Sequence, residues 1–161
     1  MQKLNGREIY SGIVLLLIAN IVLVFQGIEL MSDYSDAFRT TGNTIQIASN
    51  DLKDILHNLV IIVLGFSGAF LLFKKKSAGW VISFSLLLFF TVLAVYFLVS
   101  AFSLYGTGTE MIVIALLALI PLLGLIFLLI PSTIKKYRVG IKAILPTLLL
   151  FMALVSVTLF L

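Results

Sequence analysis

The sequence contains no cysteine, which excludes disulfide bonds, thiolate metal sites, iron–sulfur clusters and thiol redox chemistry on this chain. Charged residues are also few: they make up 11% of the 161 residues, whereas soluble domains contain about 25%. Hydrophobic residues make up 61%. A soluble core of this size cannot enclose so much apolar surface, so we expect lipid to surround most of the chain and leave no room for a separate soluble domain.

Ionisable residues are missing from most of the long apolar segments. Transporters driven by protons or sodium usually carry one within a span, so their absence argues against coupled transport. Phosphate loops, zinc-protease helices, nucleophile elbows and dinucleotide fingerprints are absent as well. We therefore expect no enzymatic activity, catalytic residue, cofactor or metal.

One short motif resembles a catalytic sequence. Gly65-Phe66-Ser67-Gly68 has the form found around the nucleophile of rhomboid proteases. The only histidine, His57, lies about 15 Å away by helical rise on the same helix. Because a serine without a base is not activated, we interpret these small residues as packing residues.

Five apolar segments are long enough to cross a membrane, since a spanning helix needs about 20 apolar residues. We expect an all-α integral membrane protein that forms one domain over residues 1–161. The segments cover approximately 9–30, 55–73, 80–104, 111–130 and 141–161. No small-residue cleavage site follows the first segment, so we expect it to be an uncleaved span.

Most of the basic residues occur in three groups, which lie on the same side of the predicted bundle. They are Lys3 with Arg7, the run from Lys74 to Lys76, and Lys135, Lys136, Arg138 and Lys142. Cytoplasmic loops are enriched in Lys and Arg, which predicts a cytoplasmic N-terminus and an external C-terminus. The net charge of +4 is thus explained by basic residues at the cytoplasmic face, and we expect no binding to nucleic acid. The small size and short loops suggest a bacterial inner membrane.

The polar segment 31–53 lies on the opposite side, between the first two spans. Met31, Tyr34 and Phe38 recur at helical spacing, which predicts that the first span continues to about Thr40. The second span would then return from a turn, forming a projecting helical hairpin. A loop with a short separate helix is the alternative. The residues predicted to dock a partner on this hairpin are Tyr34, Phe38, Ile45 and Ile47.

Small and polar residues within the spans provide the remaining candidates. Small residues let helix backbones approach closely in a membrane, and those predicted to pack helices are Gly65, Ala69, Ala115 and Ala118. Pro121 predicts a kink in the fourth span. The polar side chains that could line a pathway are Asn20, Gln26, Thr91 and Tyr96.

The leading functional hypothesis is a structural or accessory subunit that packs against other integral membrane proteins or against itself. The alternative is a homo-oligomeric channel or carrier for a small uncharged solute. An enzyme at the outer face that uses His57 is a third and weaker hypothesis.

Overall fold

The structure, a computed structural model, describes residues 5–41, 49–105 and 109–160, and the side chains of 5–32, 53–103 and 111–158. Every element within these ranges is a helix. The six helices are α1 (Gly6–Thr41), α2 (Ser49–Phe73), α3 (Ser77–Tyr105), α4 (Thr109–Leu129), α5 (Pro131–Lys136) and α6 (Ile141–Phe160).

Five of these helices, all but α5, are long and apolar enough to cross a membrane. They correspond to the five predicted spans and indicate an integral membrane protein. α1 has 36 residues and is about 54 Å long, against about 30 Å for the hydrocarbon core of a bilayer. Its end at Thr41 agrees with the expected continuation of the first span to about Thr40.

One element was not expected from the sequence. Residues 131–140 connect the fourth and fifth predicted spans, and the first six of them form α5. Pro131 occupies the first turn of this helix, where a missing N–H group costs nothing. The residue before it, Ile130, is extended (φ −61°, ψ 133°), as residues before proline usually are, and α4 ends at Leu129.

α3 is the central helix, and it is apolar around its whole circumference, as a helix with neighbours on several sides should be. It packs against α2, α4 and α6, while α1 packs against α2 and α4. Leu15, Leu72, Leu87 and Leu128 lie in the shared core and are almost completely buried. α6 packs mainly against α3 and leaves most of its surface exposed.

The start of α1, the α2–α3 connection and the α5–α6 segment meet at one end of the bundle. We call this the basic end, because Arg7, Lys74, Lys75, Lys76, Lys135, Lys136, Arg138 and Lys142 all belong to these segments. The described members of the three basic groups predicted to share a side therefore lie at the same end of the helices.

Both connections at the basic end use the same helix-ending motif. After α2, the N–H of Lys75 donates to the Leu72 carbonyl and the N–H of Lys76 donates to the Leu71 carbonyl, which is the Schellman arrangement. After α5, Arg138 and Val139 make the corresponding two bonds. The residue in the left-handed conformation is Lys75 (φ 58°) in the first motif and Arg138 (φ 51°) in the second.

Glycine is the usual residue at this position, because a side chain there costs about 1–2 kcal/mol. The chain has a basic residue in both places. The backbone conformation favours glycine and does not explain why lysine and arginine occur there. What these two residues share, and glycine lacks, is a positively charged side chain.

The α2–α3 connection also requires a close backbone approach at Gly79. A Cβ atom added there would lie 2.3 Å from the backbone nitrogen of Leu72. Because the obstructing atoms belong to backbone, they cannot turn aside as a flexible side chain would.

We expect Gly79→Ala to destabilise the protein by about 1–3 kcal/mol, the usual cost of overpacking. Unfolding in sodium dodecyl sulfate, followed by helical circular dichroism, measures the change. Gly6→Ala is the matched control, since a Cβ there would meet nothing within 4 Å. Equal stability of the two variants would contradict this close approach.

Candidate functional site

A buried ion pair joins α1 to α5 at the basic end. The Nζ of Lys136 lies 2.6 Å from the Oε2 of Glu8, and both side chains are largely buried. Glu8 Oε2 also accepts a hydrogen bond from the N–H of Asn5 at 3.1 Å, so Glu8 acts as the acidic member of a capping box at the start of α1. Within the described part of the chain, Oε1 of Glu8 is buried with no hydrogen-bond partner.

Three side chains around this pair satisfy carbonyl groups at helix ends. The Tyr137 hydroxyl donates to the Leu72 carbonyl at 2.8 Å, and the Trp80 indole N–H donates to the Leu128 carbonyl at 3.0 Å. Thr133 donates to Phe127. The last carbonyls of a helix have no partner within it, so these bonds stabilise the ends of α2 and α4.

Burial of the Tyr137 hydroxyl, and secondarily the negative charge of Glu8, raises the pKa of Tyr137 well above its ordinary value. An ordinary tyrosine is already protonated at physiological pH. The raised pKa therefore lets this hydroxyl keep its proton, and donate to Leu72, in more alkaline solution as well.

Sequence analysis missed this cluster. Glu8 was not singled out, and Lys136 was treated as one of several basic residues between the fourth and fifth spans. The available signal was Glu8 three residues after Asn5, which matches the capping-box spacing. Nothing local could show that Lys136, 128 residues away, would be its partner.

We expect Lys136→Met to destabilise the protein by about 3–5 kcal/mol, because it leaves the Glu8 carboxylate buried without its cation. Detergent unfolding followed by circular dichroism measures the loss. Lys135→Met is the matched control: Lys135 is exposed on the same short helix, and surface changes are usually within about 0.5 kcal/mol. A similar loss for both variants would mean that the buried pair has no special contribution.

A second candidate site is an exposed face of α1. Its residues recur alternately every four and three positions, and we call them the α1 seam: Ile13, Leu17, Asn20, Val24, Gly27 and Met31. All six are exposed, and a Cβ on Gly27 would meet nothing within 4 Å. This 3.5-residue period is typical of helices that pack along a seam against another helix.

Asn20 is the one polar residue of the seam, and it lies near the centre of the span Gly6–Ser32. Its side-chain nitrogen donates to the Leu16 carbonyl at 2.7 Å. The amide has a further N–H and a carbonyl oxygen, and the residue is exposed. Lipid tails offer no partner for these groups, whereas a neighbouring membrane helix does.

The four residues predicted to line a pathway have different surroundings. Gln26 is buried and accepts a hydrogen bond from Asn58 of α2. The Thr91 hydroxyl bonds to the Leu87 carbonyl of its own helix. Tyr96 is exposed beside Phe97, and Asn20 faces outward from α1. The structure does not bring these four side chains together around one cavity.

The four predicted packing residues also differ. Gly65 is buried against α1, where an added Cβ would lie 2.7 Å from the Cβ of Ala19, and Ala69 is fully buried. Their face is therefore occupied by the chain's own α1, and it does not offer a free surface to another protein. Ala115 and Ala118 are partly buried on α4.

Ala118 belongs to an open groove bounded by α1, α3 and α4. This groove has a volume of about 360 Å³. Its walls are apolar side chains, among them Ile18, Phe90 and Pro121. Such a surface fits hydrocarbon and provides no group that could recognise a polar solute.

The four residues predicted to dock a partner belong to the hairpin. Ile45 and Ile47 lie outside the described residues, as do the side chains of Tyr34 and Phe38. On the second helix, the ring of His57 contacts Phe89 edge-on, with 6.4 Å between centroids. The described residues contain no group of three or more potential ligands that could hold a metal ion.

Comparisons with protein-family models, with curated proteins and with solved structures find no match for this chain. What the protein does must therefore be inferred from the placement of its own side chains.

Proposed function

We propose that the protein is a structural or accessory subunit of a membrane protein assembly and that it packs against its partner through the α1 seam. The observation that carries this proposal is the exposed Asn20 amide at the centre of a membrane-spanning face. A polar group there gains from a partner helix and gains nothing from lipid. The apolar residues on either side of Asn20 supply the packing surface.

The spacing of the seam continues into the part of α1 that was predicted to dock a partner. Tyr34 and Phe38 follow Met31 at intervals of three and four residues, and the helix itself continues to Thr41. A partner helix could thus follow α1 beyond the span. The partner in this proposal is another integral membrane protein with an apolar helix.

The basic end lies at the cytoplasmic face in this proposal, in keeping with the enrichment of Lys and Arg in cytoplasmic loops. The N-terminus is then cytoplasmic and the end of α6 is external. The membrane that fits the small size and short loops is the inner membrane of a bacterium. A reporter fused after Leu161 and found in the cytoplasm would contradict this orientation.

Extraction in a mild detergent, followed by measurement of the particle's mass and composition, tests the assembly directly. We expect a foreign membrane subunit in fixed stoichiometry. A particle of this chain alone would instead favour the channel or carrier, and flux into liposomes containing only this protein would then be measured. That alternative has less support, because two of its predicted lining residues, Gln26 and Thr91, are buried within the chain's own bundle.

We expect Asn20→Leu to raise the dissociation constant of the assembly about 3- to 30-fold, since an interhelical hydrogen bond in a membrane contributes about 0.6–2 kcal/mol. Val24→Trp should weaken assembly further by obstructing the seam. Leu149→Trp is the matched control, because Leu149 is equally exposed but lies on α6. Unchanged assembly in both seam variants would show that α1 is not the interface.

A further inference from the structure

A groove separates the first two turns of α3 from the first two turns of α6 at the basic end, and we call it the α3–α6 groove. Its volume is about 760 Å³. Ser77 and Ile82 belong to the α3 wall, and Pro146 belongs to the α6 wall. Arg138 and Lys142 close its end. The groove is distinct from the α1 seam and does not depend on the assembly proposed above.

The groove has a polar end and an apolar body. Arg138 and Lys142 provide two positive charges at the end, and both residues are exposed. In the part of the chain that the structure describes, no carboxylate pairs with either side chain. Val81, Ile82 and Pro146 then continue the groove towards the centre of the bundle. A ligand that fits both parts has an anionic head and a hydrocarbon body.

The helix ends add to the attraction for an anion. Ser77 and Ala78 begin α3, and Ile141 and Lys142 begin α6; all four residues border the groove. N–H groups in a first turn have no carbonyl one turn back within the helix, and the helix dipole places partial positive charge there.

The charge at the start of α6 opposes the usual preference. Neither α3 nor α6 has an acidic residue in its first turn. Lys142 lies in the first turn of α6. Cations at the positive end of a helix dipole are unfavourable. A bound anion removes this conflict, because it interacts favourably with the cations and with both helix ends.

Arg138 occupies a backbone position that usually holds glycine. It has φ 51°, a conformation that glycine adopts without strain. The chain nevertheless has arginine at this point of the groove, and arginine is the side chain best suited to paired hydrogen bonds with a phosphate group.

We propose that the α3–α6 groove binds an anionic phospholipid, with its phosphate between Arg138 and Lys142 and an acyl chain along Val81, Ile82 and Pro146. Basic pockets between membrane helices are known to bind anionic headgroups. A lipid fits better than a free anion because the groove continues from its charged end into apolar walls. The exposed Leu145 on α6 extends this apolar surface.

The test uses the full chain, purified in a mild detergent and stripped of lipid. Phosphatidylglycerol or phosphatidylcholine with identical acyl chains is added, and native mass spectrometry counts the lipids retained. We expect one phosphatidylglycerol per chain, bound at least about tenfold more tightly than phosphatidylcholine, which corresponds to one charge-assisted hydrogen bond. Equal retention of the two lipids would overturn the proposal.

Arg138→Gly is the decisive variant, because glycine suits the backbone at φ 51° and loss of binding cannot then be attributed to misfolding. We expect its preference for phosphatidylglycerol to fall about tenfold, with an unchanged or higher unfolding temperature by circular dichroism. Lys142→Gln should act in the same direction. Lys135→Gln removes a nearby exposed cation that does not line the groove, and it should bind as the wild type does.

Inorganic phosphate distinguishes a lipid from a free anion. We expect phosphate at millimolar concentration neither to displace phosphatidylglycerol nor to raise the unfolding temperature as the lipid does. Full displacement by phosphate would overturn the assignment to a lipid. Equal loss of binding in Lys135→Gln and Arg138→Gly would show that surface charge alone attracts the lipid, and it would overturn the groove as the site.

Discussion

The contact between Glu8 and Lys136 holds together segments that apolar packing alone would not align. Lipid tails are as apolar as leucine side chains, so leucine gains little by moving from lipid to a contact between helices. Such contacts do little to fix the relative positions of the helices. Directional contacts therefore decide how the helices are arranged relative to one another. Several of them lie at the basic end, where the ion pair connects α1 to α5, the Tyr137 hydroxyl connects the end of α5 to α2, and the Trp80 indole connects α3 to α4.

The buried pair also explains why α5 is a helix and not a loose loop. α5 places Lys136 towards Glu8, and the Schellman motif that follows it leaves Tyr137 buried against α2. A six-residue helix is too short to be stable by itself. Its stability comes from these tertiary contacts, and for that reason local sequence patterns did not predict it.

The five spans could be predicted because each depends on a property of consecutive residues. Length, apolar composition and the position of basic residues are local, and so is the spacing that extends α1 to Thr41. The role of Gly65 was harder to predict. Its small size indicated a close helix approach, but only the packed structure shows that Ala19 of the same chain makes that approach.

For the candidate sites, the sequence identified the residues, but their placement depends on how the helices pack. Asn20 was noticed in the sequence, yet its exposure depends on which face of α1 the rest of the bundle covers. Arg138 and Lys142 were recognised as basic loop residues. Their position across from the start of α3 follows from the packing of α6 on α3, which no local pattern contains.

The attachment of α6 has a consequence for the order of events during synthesis. α6 packs mainly against α3, and Glu8, Lys136, Tyr137 and Trp80 all precede it in the chain. A nascent chain that has reached Gly140 already contains both partners of the ion pair and the tyrosine that binds α2. The first four spans can therefore lock together while the last is still being made, and α6 is then added laterally to a finished bundle.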